Sequence, residues 1–287
     1  MKEKLKDTMN GKICLITGAT NGIGKATAQA LAQMGATVVI VGRNPAKCAS
    51  VVSEIKQISG NDAVEALVAD LSLMAEVRQV ADEFKAKYRK LHVLVNNVGA
   101  AFGKRQVTSE GFERTFALNY LNYFLLTGLL LDTLKASAPS RIINVSSDEH
   151  KGVQLDFDNL QSEKGRSILN AYGRSKLATV VFSYELSRRL SGTDVTANVL
   201  HPGLVRTGFA SNLGAVPSAA IGFFMRFVAL TPEQGAETSI YLATSPDLKN
   251  VSGKYWVKSK AVLSARATYD KTTWARLWQV SETLVAA

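Results

Sequence analysis

A tyrosine and a lysine four residues apart, Tyr172 and Lys176, are the pair in this sequence that best suits proton transfer. On a helix, residues at this spacing project from the same face. A phenol has an ordinary pKa of about 10, and a cation one turn away stabilises the phenolate and lowers that value. The pair therefore predicts a proton donor and its tuning cation. Taken alone, the spacing is more often that of an exposed helical pair, because it is frequent by chance.

The elements that must position this pair are those of an alternating α/β fold. Apolar runs of strand length, rich in β-branched residues, recur between longer amphipathic stretches. The runs lie at 13–16, 38–41, 64–68, 93–95, 142–145 and 195–200, with a further short strand around 255–257. The helical stretches lie at 23–34, 45–59, 73–88, 111–134 and 169–190. We expect right-handed βαβ units, and hence a Rossmann-type doubly wound parallel sheet of about seven strands in a three-layer α/β/α arrangement.

A glycine-rich loop, Thr17 to Gly24, joins the first predicted strand to the first predicted helix. Its glycines permit a tight turn and close approach of the backbone, and the N-terminal amides of the helix face a pyrophosphate. A glycine loop alone is a weak signal, but a position directly after the first strand is the context that dinucleotide binding needs. The predicted cofactor contacts in this loop are Gly18, Thr20, Asn21, Gly22, Ile23 and Gly24.

The end of the second predicted strand indicates which dinucleotide binds. Arg43 and Asn44 lie about twenty residues beyond the glycine loop, where an acidic residue would hold the ribose of NAD. Arg43 can form a charge-assisted pair with the 2′-phosphate of NADP(H), with Asn44 or Lys47 assisting. The sequence therefore predicts NADP(H) as the cofactor. The alternative for Arg43 is a solvated surface arginine.

Two further strand ends are predicted to line the cofactor crevice. Asp70, followed by Leu71, falls where an adenine edge would pass, and a carboxylate there can accept from the adenine amino group. The alternative for Asp70 is an N-cap of the next helix. After the fourth strand, Asn97 can satisfy backbone groups on the floor of the crevice, and Gly99 lets the chain approach the cofactor.

The order of these motifs resembles that of the short-chain dehydrogenase/reductase family across nearly the whole chain. The motifs are Thr17 to Gly24, Asn96-Asn97-x-Gly99, Asn119, Asn144 to Ser147, Tyr172-x-x-x-Lys176 and His201 to Gly203. Val98 departs from the pattern, because the family usually has alanine there. Within the family, segments 41–44, 118–121, 157–164 and 252–255 are most similar to the retinol dehydrogenase and related carbonyl-reductase branch.

The resemblance implies a catalytic set of Asn119, Ser147, Tyr172 and Lys176. Ser147 lies 25 residues before Tyr172, the interval of that branch, and is preferred over its neighbour Ser146. In this set Ser147 bonds the substrate oxygen, Tyr172 exchanges the proton, and Lys176 lowers the phenol pKa and bonds the nicotinamide ribose. Asn119 is implied to bind a water of the proton relay. Without the resemblance, a helix-interior asparagine bonded to backbone is preferred.

The turn after the sixth predicted strand is implied to orient the nicotinamide. Pro202, Gly203, Val205 and Thr207 resemble the carboxamide-binding turn of the family. The segment at about 204–230 is rich in glycine, serine and alanine and then becomes apolar, which predicts a mobile substrate lid with an apolar inner face. A packed helix and an interfacial membrane patch are the alternatives. A small lipophilic carbonyl compound or alcohol is the expected substrate.

The composition suits one large domain over residues 1–287. The chain is 46% apolar, and no linker or repeat divides it. Its net charge of +10 is dispersed, so we expect an anionic cofactor and no nucleic-acid partner. Met1 to Asn10 is charged, unlike the N-terminal anchor of membrane-bound members of the branch, and no apolar run reaches membrane-spanning length. We expect a cytoplasmic protein whose membrane contacts, if any, are peripheral.

Residues outside the motifs have simpler interpretations. The two cysteines indicate neither a disulfide nor a metal site. His92 and His150 lack partner spacing and are predicted at surface or capping positions. Trp274 and Trp278, four apart on a C-terminal helical stretch, are predicted to anchor the core or a subunit interface. A homo-oligomer is compatible with the family.

The motifs together predict an NADP-dependent oxidoreductase that interconverts a lipophilic aldehyde or ketone and its alcohol. A catalytically silent NADP(H)-binding sensor or scaffold is the alternative. The enzyme is preferred because all four implied catalytic residues are present.

Overall fold

A twisted parallel sheet forms the centre of the protein. The computed structural model describes residues 8–165, 167–205 and 230–286. The strands are β1 (Ile13–Thr17), β2 (Thr37–Gly42), β3 (Val64–Val68), β4 (Val93–Asn96), β5 (Ser140–Val145), β6 (Val195–His201), β7 (Tyr255–Val257) and β8 (Lys260–Val262). Their order is β3-β2-β1-β4-β5-β6-β7-β8, and each neighbouring pair is parallel except β7 with β8. The predicted doubly wound sheet is confirmed.

Helices cover both faces of the sheet. They are α1 (Gly22–Gln33), α2 (Pro45–Ser59), α3 (Met74–Lys87), α4 (Asn122–Ala136), α5 (Ile168–Arg189), α6 (Pro232–Thr244) and α7 (Lys271–Ala286). A helical turn (Arg114–Phe116) and a π-helical segment (Ala117–Leu121) lead directly into α4. A 3₁₀ turn (Asp148–His150) follows β5. Among the described residues, no helix is both long enough and apolar enough to cross a membrane.

Alternating side chains of the buried strands divide the core into two layers. Leu15 of β1 packs in the cluster that includes residues of α3, α4, α5 and α7, whereas Cys14 and Ile16 pack in the cluster that includes residues of α1, α2 and α6. Successive strand residues point to opposite faces of a sheet, so a continuous apolar strand needs helices on both sides. This is why the apolar runs predict a three-layer fold.

The sequence did not predict β8. The strand has three residues, all exposed, and therefore lacks the apolar signal of a buried strand. It forms because Lys258 and Ser259 adopt φ of +50° and +58° and reverse the chain after β7. Such left-handed turns pair antiparallel strands, but lysine and serine are not the residues that usually indicate them.

The C-terminal helix α7 packs on the face formed by α4 and α5. The Trp278 ring lies 4.9 Å from the Phe124 ring and 5.9 Å from the Phe182 ring, between centroids. The Tyr120 hydroxyl and the Ser281 hydroxyl, both buried, are 2.6 Å apart. The tryptophans of α7 therefore contribute to the core of this chain.

Candidate active site

A cavity of about 680 Å³ opens at the carboxyl edge of the sheet, where the loops after the parallel strands meet. Ligands of doubly wound folds bind at this edge. The sequence-predicted residues that line it are Gly18, Thr20, Asn21, Gly22, Ile23, Arg43, Asp70, Leu71, Asn97, Gly99, Ser147, Tyr172, Lys176, Pro202, Gly203 and Val205. Gly24, Asn44 and Asn119 do not line it, and Thr207 and most of the predicted lid lie outside the described residues.

The glycine loop is held close to the loop after β4. Gly18 has a φ of +65°, and a Cβ on it would lie 2.7 Å from Cα of Val98. A Cβ on Gly24 would lie 2.6 Å from the carbonyl oxygen of Gly18 and would also meet Asn97. Asn97 Nδ2 donates to the carbonyl oxygen of Thr17 at 2.8 Å, so this asparagine fixes the start of the glycine loop to the loop after β4. Gly24 therefore allows the close packing of the glycine loop, although it does not itself line the cavity.

The end of the cavity beside β2 carries positive charge. Arg43 is exposed and lines the cavity together with Lys47. Asn44 instead caps α2, because its Oδ1 accepts from the Lys47 amide at 2.9 Å. The structure thus places Asn44 in a structural role, away from the cavity, and places Lys47 as the neighbour of Arg43.

Asp70 lies at the same end but is not the N-cap that the alternative interpretation required. Helix α3 has Leu73 at its N-cap position, and Glu110 accepts from its first amides. Asp70 Oδ1 accepts from the Ser72 hydroxyl at 2.7 Å, and Oδ2 lies 3.3 Å from Arg114. Burial opposes ionisation of Asp70, but the Ser72 hydrogen bonds and the Arg114 and Arg43 charges hold its pKa below the ordinary value.

The two neighbouring serines after β5 have different partners. The Ser146 hydroxyl is buried and donates to the carbonyl oxygen of Lys176 at 2.9 Å, which ties β5 to α5. The Ser147 hydroxyl hydrogen-bonds the Tyr172 phenol and accepts from the Glu149 amide at 3.3 Å. The geometry favours Ser147 over Ser146 as the serine that acts with Tyr172.

Tyr172 and Lys176 lie on one face of α5, but their electrostatics differ from the prediction. Lys176 Nζ donates to the carbonyl oxygen of Val145 at 2.9 Å and lies 5.7 Å from the centroid of the Tyr172 ring. Burial raises the pKa of Tyr172; the Ser147 hydrogen bond lowers it in part, and the Glu149 charge adds to the rise. Burial also lowers the pKa of Lys176 to about 7. The predicted direction of the phenol shift is therefore wrong, because burial is the largest effect on Tyr172 and raises its pKa above the ordinary value.

Asn119 lies in the π-helical segment and is fully buried. Its Oδ1 accepts from the Ala100 amide at 2.8 Å, and its Nδ2 donates to the Ala100 carbonyl at 2.9 Å and to Ser175 Oγ at 3.0 Å. The backbone carbonyl oxygen of Asn119 accepts from Thr179 Oγ1 at 3.2 Å. These contacts are those of an asparagine bonded to backbone, which fixes the loop after β4 against α5. The water-binding role stays a prediction.

Close packing around Gly99 brings the loop after β4 against two of the four predicted catalytic residues, Lys176 and Asn119. A Cβ on Gly99 would lie 3.2 Å from Lys176 Nζ and 3.3 Å from Asn119 Oδ1. After β6, Gly203 has a φ of +90° and Val205 forms a parallel bridge with Leu230. A glycine at each position therefore satisfies a steric need, which is close approach at Gly99 and backbone conformation at Gly203.

A polar cluster next to Ser147 was not predictable from the sequence. Asp148 lines the cavity, its amide donates to His201 Nδ1 at 3.1 Å, and its Oδ1 accepts from the Tyr255 hydroxyl at 3.0 Å. Of the surface or capping positions predicted for His92 and His150, the surface position is wrong, since the two are 8% and 0% exposed. Each ring instead accepts from a backbone amide, that of Ile13 for His92 and that of Ala265 for His150. Their partners come from strand pairing and from the C-terminal part of the chain, which short-range spacing does not indicate.

Comparison with known proteins agrees with this arrangement. The family model "short chain dehydrogenase" matches residues 12–217. The chain belongs to the short-chain dehydrogenase family. Human polyprenol dehydrogenase is 42% identical over 94% of this chain and 84% of its own length. Mouse retinol dehydrogenase 14 is 40% identical over 96% of this chain and 86% of its own length.

Solved structures support the same family. A crystal structure of an uncharacterized protein from Mycobacterium Paratuberculosis matches with a TM-score of 0.80 and 28% identity, over 100% of this chain and 97% of that one. A short chain dehydrogenase from Escherichia coli CFT073 complexed with NADPH matches with a TM-score of 0.69 and 25% identity, over 88% of this chain and 99% of that one. The retinol dehydrogenase-like branch is supported by the relatives of about 40% identity, such as mouse retinol dehydrogenase 14.

The chain is therefore an oxidoreductase with a fold that binds a nicotinamide dinucleotide. Its residues fit such a group. Gly18 and Gly24 have no room for a Cβ. The first residues of α1, Gly22 and Ile23, line the cavity, and the Asn21 side chain does not cap the helix. Backbone amides at a helix N-terminus suit a pyrophosphate.

Proposed function

We propose that this protein is an NADP(H)-dependent oxidoreductase that interconverts a lipophilic aldehyde or ketone and its alcohol. The observation that carries the proposal is the hydrogen bond between Ser147 and Tyr172 in the cavity that Lys176 and Arg43 also line. Two hydroxyl groups beside one cavity can bind a single carbonyl oxygen. Arg43, at the other end, supplies the charge that a 2′-phosphate needs.

Tyr172 is the proton donor in the reduction. A phenol of ordinary pKa, about 10, is protonated at neutral pH, and burial raises the pKa of Tyr172 further, so the residue carries the proton that a carbonyl reduction requires. NADPH, when bound, supplies the hydride that adds to the carbonyl carbon. Tyr172 gives its proton to the carbonyl oxygen, so the carbonyl becomes an alcohol. In the oxidation the proton returns from the alcohol to the tyrosine oxygen.

Ser147 and Lys176 support this step in different ways. The Ser147 hydroxyl donates a hydrogen bond to the substrate oxygen, where negative charge develops during hydride addition. Lys176 is anchored on Val145 and lies at the floor of the cavity with its Nζ facing the Tyr172 ring. The resemblance to the family implies that this ammonium group also bonds the nicotinamide ribose.

The choice of NADP(H) is supported by Arg43, by Lys47 beside it, and by the relative that was solved with NADPH. Arginine pairs with a phosphate through two parallel N–H donors, and lysine adds a point charge. Asp70 does not oppose this assignment, because its carboxylate is already engaged by Ser72 and Arg114.

The lipophilic substrate class is supported by the apolar part of the cavity lining and by the names of the relatives. Phe102, Leu118 and Leu204 are apolar residues that line the cavity. The relatives are named for a polyprenol and for retinol, both of which are long apolar alcohols. The cytoplasmic location, the single-domain organisation and a homo-oligomeric state stay predictions.

The experiment that tests the function measures NADPH oxidation with a panel of aliphatic, aromatic and polyene aldehydes and ketones. We expect turnover that rises with the apolar surface of the substrate, and we expect Tyr172→Phe to lose most of it while keeping its affinity for NADPH. Normal turnover in Tyr172→Phe would exclude the proposed proton donor. NADPH binding without turnover of any member of the panel would favour the silent sensor.

A further inference from the structure

His150 connects Ser147 to the C-terminal part of the chain. Its ring is fully buried in the 3₁₀ turn after β5, and both ring nitrogens have partners. Nδ1 lies 2.7 Å from the carbonyl oxygen of Ser147, and Nε2 accepts from the amide of Ala265 at 3.0 Å. Because a backbone N–H can only donate, Nε2 is the unprotonated nitrogen. The proton is therefore on Nδ1, and Nδ1 donates to Ser147.

The far end of this connection is fixed to the helix that carries Tyr172. Ala265 follows Ser264, whose hydroxyl is buried and lies 2.6 Å from the Tyr184 hydroxyl of α5. The Ser264 hydroxyl is also 2.6 Å from Thr268 Oγ1, which donates to the carbonyl oxygen of Ala265. The Ala265 amide is thus held on α5 at a defined position.

The surroundings of the imidazole keep it neutral. Its ring centroid lies 4.9 Å from that of Tyr255, whose hydroxyl donates to Asp148. Burial lowers the pKa of His150 and outweighs the hydrogen bond to Ser147; among its charged neighbours, Lys151 and His201 lower the pKa and Asp148 raises it. A protonated ring would direct an N–H group at the Ala265 N–H and lose that bond.

We propose that His150 is a positioning residue, which holds Ser147 at hydrogen-bond distance from Tyr172 by linking the backbone of Ser147 to α5 through Ala265. Ser147 and Tyr172 lie on different elements, β5 with its following turn and α5. Their separation therefore depends on bonds between these elements. Misplacement of a catalytic group by about 1 Å can cost about a hundredfold in rate. The inference rests on the proposed function, because it assigns His150 a role in that reaction.

Two substitutions separate the two hydrogen bonds of the ring. The Nδ2 group of an asparagine occupies the position of Nδ1, so His150→Asn keeps a donor to Ser147. The amide of a glutamine reaches the position of Nε2, so His150→Gln keeps an acceptor for Ala265 and loses the donor to Ser147. Each variant breaks the link between Ser147 and Ala265 at one end, so we expect both to lower kcat by about ten- to a hundredfold with the Kd for NADPH unchanged. Wild-type kcat in either variant would overturn the proposal.

His92 provides the matched control for stability. It is also buried, and its Nδ1 accepts from the Ile13 amide at 3.0 Å, at the edge of the sheet away from the cavity. His92→Gln is expected to lower the unfolding temperature without lowering kcat. Equal effects of His150→Gln and His92→Gln on kcat would show that His150 acts only through stability and would overturn the proposal.

The double variant with Ser147→Ala gives the sharper test. If His150 acts through Ser147, His150→Gln changes kcat by less than about twofold in the Ser147→Ala background, because the two residues act as a unit. Losses that multiply instead would overturn the proposal. Wild type and Tyr172→Phe in the same series report on the proposed function alone, since neither involves His150.

A spectroscopic readout tests the inference without turnover. ¹⁵N-histidine NMR of the wild type, with His150→Gln used to assign the resonances, should show the Nδ1–H tautomer of His150 at neutral pH. The Nε2–H tautomer would contradict the bond from Ala265 and would overturn the proposal even if no substrate were turned over.

Discussion

Lys176 Nζ donates a hydrogen bond of 2.9 Å to the carbonyl oxygen of Val145, so the lysine of α5 is anchored on the carboxyl end of β5. The side chain is 3% exposed, and the two aromatic rings of Tyr123 and Tyr172 lie 5.7 Å from its Nζ. The ammonium group therefore exchanges bulk water for one carbonyl and two ring faces. This loss of hydration lowers the Lys176 pKa to about 7.

The lowered pKa predicts that the protein without cofactor gains stability as the pH rises from about 7 towards about 10. In this window the unfolded lysine binds a proton and the folded one does not, so the free energy of unfolding increases with pH by up to about 1.4 kcal/mol per pH unit. The contribution is complete above the unfolded pKa and is lost as the pH falls through about 7. Lys176→Met should remove this dependence, measured by urea unfolding at pH 6 to 9.

Lys135→Met is the control for removal of one positive charge, because Lys135 is exposed in the last turn of α4. It should leave the wild-type slope in place. Equal slopes for wild type and Lys176→Met would show that the buried lysine does not titrate in this window.

Alanine substitutions of the two serines after β5 should have different effects, one on catalysis and the other on stability. Ser147→Ala removes a hydroxyl beside Tyr172 and should lower kcat by about a hundredfold, with little change in stability. Ser146→Ala removes the side-chain hydrogen bond to the carbonyl of Lys176 and should cost about 0.5–1.5 kcal/mol of unfolding free energy. Steady-state kinetics and urea unfolding on both variants check this, and the reverse pattern would assign catalysis to Ser146.

Two glycine-to-alanine substitutions separate steric need from helix propensity. Gly24 in the first turn of α1 has no room for a Cβ, so Gly24→Ala should displace the glycine loop and weaken NADPH binding at least about tenfold. A Cβ on Gly128, in the middle of α4, would meet no other described residue within 4 Å, so Gly128→Ala should stabilise the protein by about 0.5–1 kcal/mol. Cofactor titration and thermal unfolding distinguish the two, and unchanged NADPH affinity in Gly24→Ala would contradict the tight cradle.

The regular alternation of apolar, strand-length runs with helical stretches along the chain made the fold predictable. Runs such as Val38 to Val41 are apolar at every position, which strands buried on both faces require, and the sheet confirms them. The strand β8 was not predictable, because its pairing depends on a turn at Lys258 and Ser259 rather than on apolar side chains. Local pattern therefore predicts buried strands and fails for an exposed one.

The site was predictable in its residue types and less so in its energetics. The spacing of Tyr172 and Lys176 places both on one face of α5, but the direction of their pKa shifts depends on burial by residues distant in sequence, such as Tyr123. His150 was missed as a buried bridge for the same reason, because its partner Ala265 lies 115 positions further along the chain. A spacing of three or four residues contains no information on such contacts.

Cofactor selection at the end of β2 gives the last prediction. Arg43→Ala removes the guanidinium group from the cavity end and should weaken NADPH by about 10- to 100-fold while leaving NADH nearly unchanged, because only NADPH carries a 2′-phosphate. Asn44→Ala is the matched control: it removes the N-cap of α2 and should cost about 1 kcal/mol of stability without altering the ratio of the two dissociation constants. Fluorescence titrations with both dinucleotides measure the ratio. Equal losses for NADPH and NADH in Arg43→Ala would remove the 2′-phosphate contact from Arg43, whereas a change of the ratio in Asn44→Ala would assign part of the selection to the residue that caps α2.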